Sequence, residues 1–255
     1  MSIKALRSRK NSVQSLRKVT EAMATSARVS MQKWQDMLSG LKGYLHSVTS
    51  ALASCPQLDE YSNDEQSDDL VIALFPEQNM CGSFAHRSLR EVRSLEVAPG
   101  ADFWCTGQKR GAMWTQSHQN CNLDLIQHWV DHIVSHPNTR SRVVYGHFVN
   151  SMSQDIVVDT LFPLDEITPS SDAPYAEFTK QAFDRTIRLY LVLRLYCAYV
   201  DNALSSSSSL MTSMDNATQN AGDMIKDISR NINRVRQTII TQELMEVISG
   251  AESLL

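Results

Sequence analysis

Glycine and proline are scarce in this chain. Nine glycines and seven prolines serve 255 residues, and so few punctuators leave room for long uninterrupted elements. Aromatic residues are thin at 7% beside a hydrophobic share of 42%, as in a folded chain with a largely aliphatic core. No run of eighteen apolar residues appears, so no transmembrane helix is expected. Ile3 to Thr20 alternates basic and apolar residues without an apolar h-region, so no signal peptide is expected either. The five cysteines (Cys55, Cys81, Cys105, Cys121, Cys197) are odd in number, scattered and free of C-x-x-C spacing. That argues against a disulfide framework or a zinc site and fits a reducing compartment. A net charge of −4 gives no gross preference for polyanions.

What the chain does have is a long apolar seam at each end. From Val13 through Leu16, Thr20, Met23, Ala27, Met31, Trp34 and Leu38 to Leu52, apolar or small residues recur at steps of three and four. A second seam runs from Val200 through Leu204, Met214, Ala221, Ile225, Ile228, Ile232 and Val235 to Ile239. Such spacing marks one side of a helix, and two such helices form a coiled coil. Each seam has one extra four-residue step, Ala27–Met31 and Ala221–Ile225, which relaxes left-handed supercoiling locally. Pairing positions whose numbers sum to about 252 sets these steps opposite each other in an antiparallel coil. Residues 3–54 read as one helix of roughly 75–80 Å, and the stretch from Tyr175 to about Ser249 as a second of roughly 110 Å. The second exceeds the first, so its far end is expected to project alone. Such lengths suit a spanning, levering or shaft-like task.

The middle changes period. Asp69–Phe75 is a short apolar run of the kind buried on both faces of a sheet. Strands are also expected at Asp102–Thr106, Leu123–Ile126, Arg142–Val149 and Asp155–Phe162, and helices at Ser83–Leu95, Gly107–Ser117 and Gln127–Ser135. Alternation of this kind implies parallel pairing by crossover units, and the short connection Asn150–Gln154 implies an antiparallel final pair. The expected class is α/β: a long antiparallel coiled coil of the N- and C-terminal helices plus a Rossmann-like central domain with a mostly parallel sheet. The divisions are an N-terminal coiled-coil helix (1–56), an acidic linker (57–69), the α/β domain (70–165) and a C-terminal coiled-coil helix (166–255).

Several features carry possible chemistry. Cys81, in Asn79-Met-Cys-Gly-Ser83 after a strand and before a helix, suits a nucleophile or a phosphate cradle. No histidine stands at a recognisable spacing from it, and the glycines and lysine of a phosphate loop are missing, so a structural turn is the simpler reading. His128, His132 and His136 share a helix face but lack the glutamate of a metalloprotease motif; a solvated face explains them. Ser205–Ser209 weakens a helix and reads either as a closely approached segment or as neutral drift. Lys4, Arg7, Arg9, Lys10, Arg17, Lys18, Arg28 and Lys33 outnumber Glu21 and Asp36 over residues 1–36. This basic face could meet nucleic acid, an acidic membrane or an acidic protein, or simply water. Ile239–Ala251 is apolar over much of its circumference, and insertion into a partner's socket is favoured over folding back.

Three stretches resemble the gamma subunit of F-type ATP synthases. Ile3 to Gln14 and Arg17 to Met23 are similar to the family's "I-x-x-I-x-S-x-x-x-T/V-x-K-I-T-x-A-M". Val144 to Gln154 is similar to "V-x-x-x-F-x-N-x-x-x-Q". Asp215–Ala221 and Asn231–Ala251 resemble the closing "N-x-x-R-Q-x-x-I-T-x-E-L-x-E-I-V-x-G-A" almost position for position. The resemblance implies a non-catalytic, central-stalk rotor subunit coupling ion flow to ATP synthesis or hydrolysis. It implies a shaft inside a hexamer of alpha and beta subunits, a foot domain touching the epsilon subunit and the membrane rotor c-ring, and a tip near Thr241–Ala251 in an apolar bearing. Lys18, Met23, Arg236, Gln237, Thr241, Gln242 and Glu243 match motif positions near the coupling loops of the catalytic subunits. No cofactor, metal or nucleic acid is implied.

Two departures stand out. The family's turn "D-R-G-L-C-G-G/S" reads Glu77-Gln-Asn-Met-Cys-Gly-Ser83 here, and its "S-E-x-x-A-R-M" falls on Ser205–Met211. The middle domain is short and lacks the redox cysteine insertion of chloroplast members. With no transit peptide, the expected setting is the cytoplasmic face of a bacterial inner membrane. A stand-alone coiled-coil interaction protein or a cysteine-dependent enzyme is the alternative from another class.

Overall fold

A computed structural model describes residues 2–55, 68–107, 113–164, 167 and 179–252. The elements are α1 (Ile3–Ala53), β1 (Asp68–Leu74), α2 (Phe84–Ser94), β2 (Asp102–Thr106), β3 (Gln116–His118), α3 (Leu123–Ser135), β4 (Thr139–Phe148), β5 (Gln154–Phe162) and α4 (Lys180–Glu252). They form two compact units, one of residues 27–210 and one of residues 1–26 with 211–255. Neither long helix contains a proline; α1 has 51 residues and α4 has 73. The described helix α4 starts at Lys180, with the Phe183 amide donating to the Thr179 carbonyl at 3.0 Å. Pro56, Pro169, Pro174, Tyr175 and the acidic run from 57 to 67 lie outside the described residues. Asp69 at the end of that run is the second residue of β1, buried, accepting from the Ala98 amide at 2.7 Å and standing 3.4 Å from Arg142.

The larger unit is built on a five-stranded sheet in the order β3-β2-β1-β4-β5. The first three neighbour pairs are parallel and β4·β5 is antiparallel. The final hairpin closes through Asn150, whose side-chain oxygen accepts from the amides of Met152 and Ser153. β1 is buried on both faces, which is why it reads as a continuous apolar run. Its alternate residues feed two cores. Leu70, Ile72 and Leu74 join Trp104, Trp129, Ile133, Leu52 and Leu191, contributed by β2, α3, α1 and α4. Val71, Ala73 and Phe75 join Val92, Cys105 and Trp114 on the α2 side. Each large side chain buried in these layers contributes about 1.5–3 kcal/mol.

Two sequence expectations fail here. Leu123–Ile126 is the first turn of α3, not a strand, because the Asn122 side chain accepts from the Leu125 amide at 2.9 Å and caps the helix. The helix expected over Gly107–Ser117 is absent where described: Met113–Thr115 is irregular and Gln116–Ser117 belongs to β3, while residues 108–112 lie outside the description. Thr115 decides this, because its amide donates to the Phe103 carbonyl at 2.8 Å and its hydroxyl accepts from the Phe103 amide at 3.1 Å. Those bonds tie it beside β2 as the lead-in to an edge strand.

Within the larger unit the two long helices are antiparallel. Trp34 packs edge-on to Tyr199, and the Tyr196 hydroxyl reaches the Met37 sulfur at 3.7 Å. Leu38, Val200 and Leu204 are buried between them. In the smaller unit the seam consists of Leu6, Val13, Ala221, Ile228 and Ile232. The Thr20 and Thr218 hydroxyls meet at 2.7 Å.

That contact corrects the expected register. The sequence pairing set Thr20 against Ile232, whereas Thr20 meets Thr218, a difference of fourteen residues. Fourteen is two heptads, and a slip by whole heptads along a regular seam brings like positions opposite each other again. Periodicity alone therefore does not separate the two alignments, and Ile225 borders Gln14, Arg17, Lys18 and Glu21. The inner face of α1 differs too. Leu16 (57% exposed) and Met23 (39%) lie outside the seam, and Ala24 (3%) is inside.

The register is open to a direct check. A Thr20→Cys/Thr218→Cys variant should form a disulfide on mild oxidation, identified by peptide mapping. The Thr20→Cys/Ile232→Cys pair should stay reduced, and the reverse pattern would restore the sequence alignment.

Candidate functional site

In a parallel sheet the place for a ligand is the crevice beyond the carboxyl ends of the strands, where the strand order reverses. Here that point lies between β1 and β4. It is filled by α4. The Asn202 side chain bridges the two strands, its oxygen accepting from the Gly146 amide at 3.1 Å and its nitrogen donating to the Phe75 carbonyl at 3.4 Å. Asp201, buried beside it, accepts from the Phe148 amide at 2.9 Å and lies 2.7 Å from His147 Nδ1. One turn on, the Ser205 hydroxyl donates to the Gly146 carbonyl at 3.0 Å. Ser208 donates to the Ser151 carbonyl at 3.0 Å and lies 3.2 Å from Gln154 Nε2. Ser209 donates to the Cys81 carbonyl at 2.8 Å. The serine run is thus the closely approached segment, not neutral drift.

Close approach needs small residues on both sides. A Cβ on Gly146 would stand 2.3 Å from the Phe84 ring and 3.1 Å from Ser205 Cβ. Phe84 is fully buried and has nowhere to move.

The same packing disposes of Cys81 as a nucleophile. Its side chain is buried, and its thiol lies 3.4 Å from the Gln78 carbonyl, to which it donates. The turn that holds it places Met80 in the left-handed region at φ 72°, strained backbone that the Ser209 bond helps to hold. Among the described residues no group of three or more metal-ligating side chains comes together. The expected solvated histidine face is only partly so: His128 and His136 are exposed, but His132 is half-buried against the edge of Trp104 at 4.7 Å and stacks on His136 at 4.2 Å. Burial first, then His136 and His128, push the His132 imidazole below its ordinary range, while Asp102 opposes them.

The motif residues of the terminal segments all lie on the smaller unit. Lys18 and Met23 are exposed on α1, and Arg236, Gln237, Thr241, Gln242 and Glu243 are exposed on α4. Lys18 lies in a groove beside Ile225, eleven residues before Arg236 and about 16 Å along the helix. The structure therefore forms two stations rather than one cluster. Sequence reasoning missed part of the first: Leu16 and Val19 (57% and 54% exposed) join Met23 in an outward stripe at steps of three and four. An i, i+3, i+7 set on the outer face looks like a seam, so only the packing of α1 against α4 reveals it. At the second station every residue from Arg236 to Ser249 is exposed. Ile240, Leu244, Val247 and Ile248 are 48%, 58%, 71% and 53% exposed and share one side. No helix among the described residues is long and apolar enough to cross a membrane.

A family model described as ATP synthase matches residues 2–254. The chain is 26% identical to the ATP synthase gamma chain of Legionella pneumophila strain Paris, over 98% of this chain and 99% of that one. It is 27% identical to the ATP synthase gamma chain of Rickettsia typhi, over 99% of both. Its fold is similar to a chain in the Euglena gracilis mitochondrial ATP synthase, a structure of the OSCP, F1 and c-ring assembly, with a TM-score of 0.73 and 14% identity over 99% of this chain and 95% of that one.

Two consequences follow from the geometry. Gly146→Ala should lower stability by about 1–3 kcal/mol through overpacking, measured by denaturant unfolding. His132, whose folded-state pKa is depressed, binds fewer protons folded than unfolded, so stability should fall as pH drops below the ordinary 6.5. His132→Gln should flatten that slope, as read from melting curves between pH 7 and 5.

Proposed function

The chain belongs to the family of ATP synthase gamma chains, and on that premise we propose how it works as the non-catalytic central-stalk rotor. The single observation that carries the mechanism is the pairing of two surfaces on one helix. α4 is hydrogen-bonded and buried against the sheet through residues 201–209, yet wholly exposed from Arg236 to Ser249. A helix invested so differently along its length grips at one part and is offered to another molecule at the other.

The proposed partners are the alpha and beta subunits of the catalytic hexamer around the terminal hairpin, and the epsilon subunit and c-ring at the sheet domain. The proposed location is the cytoplasmic face of a bacterial inner membrane. The apolar side of Ile240, Leu244, Val247 and Ile248 turns in an apolar bearing, where burial would contribute about 25 cal/mol per Å² covered. Arg236, Gln237, Thr241, Gln242 and Glu243, with Lys18 and Met23 lower down, face the coupling loops. The exposed cations Lys4, Arg7, Arg9, Arg17 and Lys18 crowd α1, so the hairpin presents charge unequally around its axis. As it turns, each catalytic subunit meets a different face in sequence. Contacts that differ between open and closed states shift their populations, and no other chemistry is asked of this chain. The buried Cys81 removes the basis for the cysteine-enzyme alternative.

Co-expression with alpha and beta subunits tests this. The chain should co-purify in stoichiometric amount with a nucleotide-hydrolysing hexamer. Leu244→Asp/Val247→Asp, which alters exposed positions only, should leave the melting temperature of the isolated chain unchanged and weaken association about tenfold or more. Undiminished association would sink the bearing.

A further inference from the structure

We propose that Asp201, Asn202, Ser205, Ser208 and Ser209 form the joint that carries torque between the sheet domain and α4 in this chain. The inference rests on the rotor reading and adds the residues that make the domain and the shaft turn together. From Phe183 to Ala198, α4 lies on the sheet through apolar side chains such as Ile187, Leu191 and Leu195. Apolar burial is non-directional; it resists separation far better than it resists slip or twist. From Asp201 onward the contact changes character. Five α4 side chains bond to three separate parts of the domain. These are the carboxyl ends of β1 and β4 (Phe75, Gly146, Phe148), the β4–β5 hairpin (Ser151 in its turn, Gln154 at the start of β5) and the turn at Cys81.

Hydrogen bonds weaken steeply with misalignment. Positions 201, 205 and 208 occupy one row of the helix and 202, 205 and 209 the adjoining row. Rotating α4 by one residue or sliding it by one turn breaks the whole set together, and the abandoned groups are mostly buried, where an unpartnered polar atom is costly. Short side chains make this joint stiff. A hydroxyl one carbon from the backbone has little reach to flex, and Gly146 allows Ser205 to approach the strand itself. Serine costs helix propensity, so a run of it persists in a shaft where its bonds are used.

The test uses the complex reconstituted in vesicles with its catalytic and membrane sectors, and reads ATP hydrolysis and ions pumped per ATP separately. For Ser205→Ala/Ser208→Ala/Ser209→Ala, hydrolysis per assembled complex should stay within about twofold, while ions pumped per ATP should fall by at least half. Amide exchange at Gly146 and Phe148, whose own acceptors on Asn202 and Asp201 are kept, should accelerate about a hundredfold as the loosened joint opens, on the scale of several bonds of ordinary strength lost together. Unchanged pumping with accelerated exchange would overturn the joint, and so would unchanged exchange. If the triple variant fails to assemble, Ser209→Ala and Ser209→Thr decide: pumping per ATP should fall with alanine and hold with threonine, which keeps the hydroxyl, and equal behaviour overturns the proposal. Failure of the unaltered chain to assemble with the hexamer would instead overturn the rotor reading.

Discussion

The structure depends on how the carboxyl edge of a parallel sheet is sealed. Strands that end in parallel leave peptide groups pointing outward, and such groups need partners. Enzymes of this architecture leave the edge open for a ligand. Here Asn202 spans the opening between β1 and β4, Asp201 takes the next amide, and the serines take the carbonyls around it. Binding capacity has been exchanged for attachment. An Asn side chain suits the post because it donates and accepts at once, as the two strand ends require. Once α4 is committed to the edge, Gly146 must lack a Cβ and Phe84 must be held still. The neighbouring turn at Met80–Cys81 then keeps its strained form against Ser209.

Much of this was legible in the chain. The two long helices, the run Asp69–Phe75, the second strand and the closing hairpin follow from periodicity and from the lack of breakers, all local properties. Leu123–Ile126 was misread because four apolar-rich residues fit either period, and only the cap at Asn122 discriminates. β3 was invisible because Gln116-Ser-His118 has no apolar alternation; it is a strand because its neighbour offers a free edge. The register was illegible in principle, since heptad slips preserve the seam. What marks it in the structure is a polar pair, Thr20 with Thr218, of the kind by which a buried polar residue specifies alignment in coiled coils. The serines were legible as a weakness in a helix but not as its remedy, because their partners lie more than fifty residues away in sequence.

The corrected register also changes what the surface offers. Pairing Leu6 with the neighbourhood of Ile232 leaves no α1 residue to cover α4 beyond Val235, so the apolar side chains there stay in water. It also separates Lys18 from Arg236, which the sequence alignment would have set nearly opposite each other. The motif residues then lie at two levels along the paired helices, each beside its own exposed apolar side chains: Leu16, Val19 and Met23 at one, Ile240, Leu244 and Val247 at the other.

An uncovered helix end of this composition has a thermodynamic consequence. From Arg236 to Ser249 every described residue of α4 is exposed, and an isolated helical segment of about fifteen residues is marginal in water. Among the described residues it is held by propagation from the paired stretch and by intrahelical bonds such as Thr241 to the Gln237 carbonyl. Covering its apolar side would therefore raise local stability as well as produce association, and the two effects are linked by mass action. The proposed bearing would be rigid when loaded and soft when empty. The sealed sheet edge has the opposite property, because its stiffness is internal and needs no partner. One helix thus carries a self-sufficient attachment and, on the proposed reading, a partner-dependent one, a division suited to a part that must be driven at one place and read at another.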